Sequence, residues 1–191
     1  QMARLRRQHK RTQIASKAER NRVYAFTEID HVVNALDLPE SIQERACVLF
    51  ESAQSEGLLQ GRSIEGFAAA AVYATCRTAE VSRTLPEVVE AARATRAELD
   101  VGYDAMNREL GLPTGPIHPR EYLARFASSL DLSAAIERRA RTLAKRAREE
   151  GIDNGRNPGG VAAACLYTAA REAGRNLTQR EAADVADVTP V

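Results

Sequence analysis

Residues 36–79 read LDLPESIQERACVLFESAQSEGLLQGRSIEGFAAAAVYATCRTA, and residues 130–173 read LDLSAAIERRARTLAKRAREEGIDNGRNPGGVAAACLYTAAREA. The two stretches align without a gap at a constant offset of 94, and 19 of the 44 aligned pairs are identical. Gly57 returns as Gly151, Gly61-Arg62 as Gly155-Arg156, Gly66 as Gly160, Tyr73 as Tyr167 and Arg77 as Arg171. A period this long marks a duplicated domain, because solenoid units repeat every ~20 to 50 residues. At 191 residues the chain has room for two small domains, each able to own a core.

Outward from the repeat, every long segment carries helical period and none joins strict alternation to β-branched enrichment, so the fold class is all-α. Helix 1 is predicted from about Glu19 to Ala35 with Val23, Phe26, Ile29 and Val33 on one face. The capping box Ser41-Ile42-Gln43-Glu44 opens helix 2, which stops at Gly57. Helix 3 follows Gly61-Arg62-Ser63 and is apolar nearly all round, as befits the centre of a bundle. Thr84-Leu85-Pro86-Glu87 and Thr95-Arg96-Ala97-Glu98 open helices 4 and 5, the latter ending near Leu110.

Three prolines and two glycines between Gly111 and Pro119 make a linker, and the second copy begins beyond it. Its helices are predicted at about 120–129, 134–150 and 158–173, with a fourth after the capping box Thr178-Gln179-Arg180-Glu181. The domains are therefore 1–18 (a basic tail), 19–110, a linker at 111–118, and 119–191. The position equivalent to Thr95 is Thr189, so the second copy is expected to lack its fifth helix, and the sequence to be a piece of a longer chain.

Charge is unevenly spread. Residues 1–22 hold eight basic side chains against Glu19 alone, whereas the remainder carries 19 basic and 25 acidic groups. A basic arm ahead of a mildly acidic body suits contact with nucleic acid or with an acidic protein surface, or simply stays solvated. Cys47, Cys76 and Cys165 are odd in number and embedded in alanine-rich helical patterns, so they read as small hydrophobes rather than disulfides or zinc ligands. No apolar run reaches the ~20 residues of a membrane span. His9, His31 and His118 lack ligand spacing, no GxxxxGK[ST] loop occurs, and no nucleophile–base pair stands out, so no enzymatic activity is expected.

Two motifs point to binding. Short capped helices followed by a second capped helix, at Thr84–Leu110 and again from Thr178, have the pattern of helix-turn-helix units. Gly61-Arg62 and Gly155-Arg156 precede helix starts, where free backbone donors and a guanidinium suit a phosphate; the alternative is a plain turn with a solvated arginine. Arg77 and Arg171 close helix 3 of each copy, which also suits the negative helix end. Helix 2 of the second copy carries six basic residues between Arg138 and Arg148.

Taken together, Ser16-Lys17-Ala18-Glu19-Arg20-Asn21, Gly61 to Gly66, Ala74-Thr75-Cys76-Arg77, Arg83 to Val88 and Thr178 to Ala186 make the chain resemble the core of the transcription initiation factor IIB family, in its archaeal form called transcription factor B. The resemblance implies two tandem cyclin-like repeats of five helices, the second here short of its fifth, that grip TATA-binding protein on bent promoter DNA and help recruit RNA polymerase. It implies DNA contact by Gly61 and Arg62 downstream of the TATA element, by Arg156, and by Thr178, Gln179 and Arg180 upstream. It places Arg77 and Arg96 against an acidic part of TATA-binding protein, and Arg4, Arg6, Arg7, Lys10 and Arg11 in a tail that meets polymerase or DNA. Location on the archaeal nucleoid, or in a eukaryotic nucleus, follows from the same likeness.

Departures limit the transfer. The family's zinc ribbon is absent from this sequence, so no cofactor is expected of it. Glu98-Leu99-Asp100-Val101 stands where the family has Glu-Ile-Gly-Arg, losing a cation and gaining an anion; a paralogue that competes at promoters would fit this change. A cyclin-type regulatory subunit, which binds a kinase and no DNA, is the competing reading of the same two-repeat pattern.

Overall fold

A computed structural model of the chain describes the backbone of residues 2–190 and the side chains of residues 17–190. The described residues form helices α1 (Met2–Ala35), α2 (Glu40–Ser55), α3 (Ile64–Thr78), α4 (Leu85–Ala91), α5 (Arg96–Leu110), α6 (Arg120–Ser129), α7 (Ala134–Glu149), α8 (Pro158–Glu172) and α9 (Gln179–Asp184), with no strand among them. They divide into two compact units, Gln1–Ala79 with Leu85–Thr114, and Gly115–Val191 with Glu80–Thr84.

In the first unit α3 is the central rod, in contact with α1, α2, α4 and α5. Every residue from Gly66 to Cys76 is buried. Small side chains are what allow this: a Cβ on Gly102 of α5 would lie 3.1 Å from the Ala70 Cβ and 3.2 Å from the Gly66 carbonyl oxygen. A Cβ on Gly66 would come within 2.8 Å of the Glu98 Cβ and carbonyl oxygen. The two helices therefore meet backbone to backbone, and two glycines set that distance.

Helix α1 extends 17 residues further toward the N-terminus than its predicted start near Glu19. Nothing in residues 2–18 breaks it, since that stretch holds neither glycine nor proline and is rich in arginine, glutamine and alanine. Its core face also differs from the predicted one. Ala25, Ile29, Val32 and Val33 are buried, whereas Val23 is 59% exposed. Glu28 is buried in the same face at 2% exposure, and its Oε1 accepts a 2.8 Å hydrogen bond from Arg93 in the turn before α5.

The predicted Ser41 cap is also displaced. Pro39 is the N-cap of α2 and its side chain can accept nothing; Glu40 opens the first turn instead. In the second copy Ser133 replaces Pro39 and does cap, accepting from the Ile136 amide at 3.4 Å. The boxes at Thr95–Glu98 and Thr178–Glu181 form as reciprocal pairs, each threonine accepting from the N3 amide while the glutamate accepts from the N-cap amide.

The second unit repeats this plan with α8 at its centre, touching α6, α7 and α9 over a core built on Leu123, Phe126, Ala140 and Leu166. The face of α8 that corresponds to the α5-covered face of α3 is open. Ala70 and Ala74 are fully buried, while their equivalents Ala164 and Thr168 are exposed. Of the cysteines, Cys76 and Cys165 are buried as expected, but Cys47 is only half-buried. Burial pushes the Cys165 thiol up to about 11, which keeps it protonated and inert at neutral pH.

Candidate nucleic-acid interface

The helix-to-helix turn ahead of α3 begins where α2 unwinds at Gly57, in the left-handed region at φ 72°. Its amide donates to the Gln54 carbonyl, and the Leu58 amide donates to the Ala53 carbonyl, both at 3.0 Å. That pair of bonds closes the helix end in a Schellman motif. The chain then turns through Gln60 and a second left-handed glycine, Gly61 at φ 71°, and the Arg62 amide donates to the Leu59 carbonyl at 3.2 Å. Nothing lies within 4 Å of a Cβ on Gly61, so its glycine is required by conformation and not by crowding.

Ninety-four residues later the backbone is the same. Gly151 has φ 69° and Gly155 φ 70°, the Gly151 amide donates to the Arg148 carbonyl at 3.0 Å, and the Arg156 amide donates to the Asp153 carbonyl at 3.1 Å. Both turns thus lift an exposed arginine at the mouth of a helix start.

The side chains around those mouths differ. At α3, the Ser63 hydroxyl accepts from the Gly66 amide and donates to Glu65 Oε2, both at 3.0 Å, while the Tyr24 hydroxyl donates to Glu65 Oε1 at 2.8 Å. Glu65 is held below the usual carboxylate range by its own backbone amide first, then by Tyr24. A carboxylate therefore already sits on the positive end of α3. Arg62 also turns back, donating to the Leu58 carbonyl. At α8, Asn157 Oδ1 accepts from the Gly159 and Gly160 amides at 2.8 and 3.3 Å, Pro158 follows, and the first turn has no acidic residue. Arg156 makes no side-chain hydrogen bond or ion pair among the described residues, so its guanidinium is available.

The remaining predicted positions fall in three places. Gln179 and Arg180 are exposed on the first turn of α9, where Arg180 has no ion-pair partner among the described residues. The Thr178 hydroxyl is occupied, accepting from the Glu181 amide at 3.1 Å and donating to its carboxylate at 2.7 Å. Thr178 therefore shapes the turn and does not reach outward through its hydroxyl. In the first unit, Arg77 is half-buried and donates to the Tyr103 hydroxyl at 3.0 Å, beside the edge-on Tyr73–Tyr103 pair. Arg96 is exposed and bound bidentately by Asp100, its Nε lying 3.0 and 2.8 Å from the two carboxylate oxygens. The side chains of Arg4, Arg6, Arg7, Lys10 and Arg11 lie outside the described residues.

Sequence reasoning missed two partners here. Asp100 stood out as a substitution, yet its spacing of four from Arg96 already implied an ion pair on a helix. Tyr24 and Glu65 are 41 positions apart, and no local pattern joins them. Among the described residues, no three His, Cys, Asp or Glu side chains gather in a way that would hold a metal ion, and no helix is long and apolar enough to cross a membrane.

Two all-helical units that each present a left-handed Gly-Arg turn before a central helix, and that are linked by a constant offset, define a tandem cyclin-like repeat protein. The Transcription factor TFIIB repeat family model matches residues 18–109 and again 113–191, and the chain belongs to this family. It is 61% identical to Transcription initiation factor IIB 1 of Halobacterium salinarum over 99% of this chain and 66% of that protein. It is 44% identical to Transcription initiation factor IIB of Methanococcus maripaludis across its whole length, and equally to that of Archaeoglobus fulgidus. The chain spans 56% and 59% of those two relatives.

Proposed function

We propose that the chain is the promoter-engaging core of a transcription initiation factor, binding TATA-binding protein on promoter DNA and helping to recruit RNA polymerase, without catalysing a reaction. The observation that carries this reading is the duplicated Gly-Arg turn, the same backbone at two helix mouths with an exposed arginine on each. Backbone amides and guanidinium groups of that kind contact phosphates and set the register of a protein on a duplex. Family membership supports the reading, and the initiation-factor names of the relatives favour it over a kinase-binding cyclin.

In this reading Gly61, Arg62 and Arg156 lie along the DNA backbone, and Gln179 and Arg180 approach it from the second repeat, with Thr178 holding their helix in place. Arg77 and Arg96 face TATA-binding protein, Arg77 as a guanidinium braced by Tyr103, and Arg96 only after exchanging Asp100 for an acidic partner. The exchange is cheap, since an exposed pair of this type contributes roughly 0.2–1 kcal/mol. The protein would act inside the cell, on DNA.

A gel-shift assay with TATA-binding protein, a promoter duplex and this chain tests the proposal. A slower-migrating ternary complex is expected, weakened by Arg156→Ala. Absence of any shift beyond the TATA-binding protein–DNA band would overturn it.

A further inference from the structure

Helix α7 has two basic flanks, and only one of them carries an ion pair to another helix of the unit. On the first, Arg139 pairs bidentately with Glu172 of α8 at 2.6 and 3.1 Å, and Arg146 with Glu150 at 3.4 Å. On the second, Arg138, Arg141, Lys145 and Arg148 follow at i, i+3, i+7 and i+10, which puts them in one row along the helix. Arg141, Lys145 and Arg148 of this row form one wall of a cleft of about 370 Å³, whose other wall is His118 and Arg120 at the start of α6 and whose floor includes Pro119 and Ala144.

The carboxylates near the cleft do not close it. Glu121 is spent on the His118 backbone amide at 3.0 Å. Glu137, itself part-buried, holds Arg141 at 2.6 Å from below the row, and Glu149 approaches Lys145 at 3.7 Å in an exposed i,i+4 pair of small worth; neither glutamate lines the cleft. Arg120 and Arg138 have no carboxylate partner among the described residues, and Arg148 lies against His118 Nδ1, which accepts from it. A cleft with cations on both walls and no acid facing into it attracts an anion.

We propose that this cleft is a phosphate-binding site for the backbone of duplex DNA, held by Arg120, Arg141, Lys145 and Arg148 and lying outside both Gly-Arg turns and α9. The wall from Arg141 to Arg148 is roughly 10 Å long at ~1.5 Å per residue. A duplex strand rises ~3.4 Å along its axis per phosphate while winding around it, so a wall of this length faces about two to three phosphates of one strand. Arg141, Lys145 and Arg148 on one wall, with Arg120 facing them, suit a run of successive phosphates, which favours a nucleic-acid strand over a short acidic peptide. The site reads no sequence, since guanidinium and ammonium contacts to phosphate position a protein without reading bases.

The inference rests on the chain being a DNA-binding protein, and it is tested without TATA-binding protein so that its failure is separable from failure of the ternary complex. Fluorescence anisotropy of a labelled, scrambled-sequence duplex is followed across a salt series with the whole chain. Arg120→Ala/Arg148→Ala is expected to flatten the slope of log K against log salt by about 1.8, at ~0.9 per phosphate contact. Arg120→Lys/Arg148→Lys should keep the slope, and Arg139→Ala/Arg146→Ala on the other flank, with the same change in charge, should leave it unaltered. Four outcomes each overturn the proposal. These are equal flattening by the two alanine pairs, an unchanged slope in the first pair with native helicity, no binding by the unaltered chain at the ~10⁻⁴ M limit of non-specific affinity, and a glutamate-rich peptide that binds the cleft when DNA does not.

Discussion

The turns at 57–66 and 151–160 share a backbone and differ in electrostatics. Their left-handed glycines match to within a few degrees and their turn hydrogen bonds recur pair by pair, so the geometry that displays an arginine is inherited twice. Around it, the first copy places Glu65, braced by Tyr24, on the start of α3, while the second offers Asn157, Pro158 and two glycines on the start of α8. The first mouth is filled by the protein's own carboxylate, whereas the second carries only the neutral Asn157 cap on its amides, with Arg156, unpaired among the described residues, beside it. A conserved loop shape therefore does not imply equal affinity for phosphate, because the first helical turn decides how much positive potential remains.

The largest effect that would break the comparison concerns Gly66 and Gly160, which are equivalent in sequence but not in surroundings. A methyl at Gly66 would meet the Glu98 backbone at 2.8 Å, so Gly66→Ala must push α3 and α5 apart. We expect a loss of about 1–3 kcal/mol in urea denaturation, the usual penalty of overpacking. A methyl at Gly160 finds its nearest neighbour, Val188 Cγ1, at 3.7 Å. Gly160→Ala should therefore be neutral or stabilising by up to ~1 kcal/mol, through the lower chain entropy of alanine. Equal destabilisation by both changes would mean that α8 is as tightly covered as α3.

Next in size are the two capping boxes. Thr95→Ala and Thr178→Ala should each cost about 1 kcal/mol, the typical loss of a threonine cap. Thr178→Ala should also weaken promoter binding by way of a frayed α9, whereas Thr178→Ser, which keeps the hydroxyl, should not. A Thr178→Ser variant that loses DNA affinity with helicity intact would show a direct contact by the threonine.

The fold was legible because its signals are local and doubled. The offset of 94 exposes the duplication, glycines at 57, 61, 151 and 155 mark the turns, and Thr95 and Thr178 mark two helix starts. What could not be read depends on approach in space. Glu28 looks like a surface residue on a helical wheel, yet it is buried because Arg93 reaches it from 65 positions away. Ser41 has the right neighbours for a cap, but Pro39 sets the entry of α2 two residues earlier. Arg77 and Arg96 are equally basic in sequence, and only the structure separates an arginine braced on Tyr103 from one already bound by Asp100. That last contrast predicts that Asp100→Gly, which frees Arg96, strengthens the ternary complex severalfold, while Arg96→Ala weakens the Asp100→Gly variant more than the parent chain. Equal losses in the two backgrounds would show that Asp100 does not restrain Arg96.

The smallest effect sharpens the contrast between the helix mouths through pH. Glu65 has its folded-state pKa lowered below the usual carboxylate value of 4.5, by its own backbone amide and then by the Tyr24 hydroxyl. A lowered carboxylate contributes stability that is fully present above its unfolded value and is lost as pH falls through the folded one. Acidification from just above 4.5 downward should therefore weaken the first repeat by way of Glu65, and α8 has no equivalent carboxylate in its first turn. Tyr24→Phe removes one of the donors, so the Glu65 pKa should move back toward the ordinary value and this part of the acid sensitivity should shrink. NMR titration of the Glu65 side chain in the two proteins reads the shift directly. An identical titration midpoint would assign the lowering to the backbone amide and the Ser63 hydroxyl, and Tyr24 would then be a bystander at a mouth that the helix start itself keeps filled.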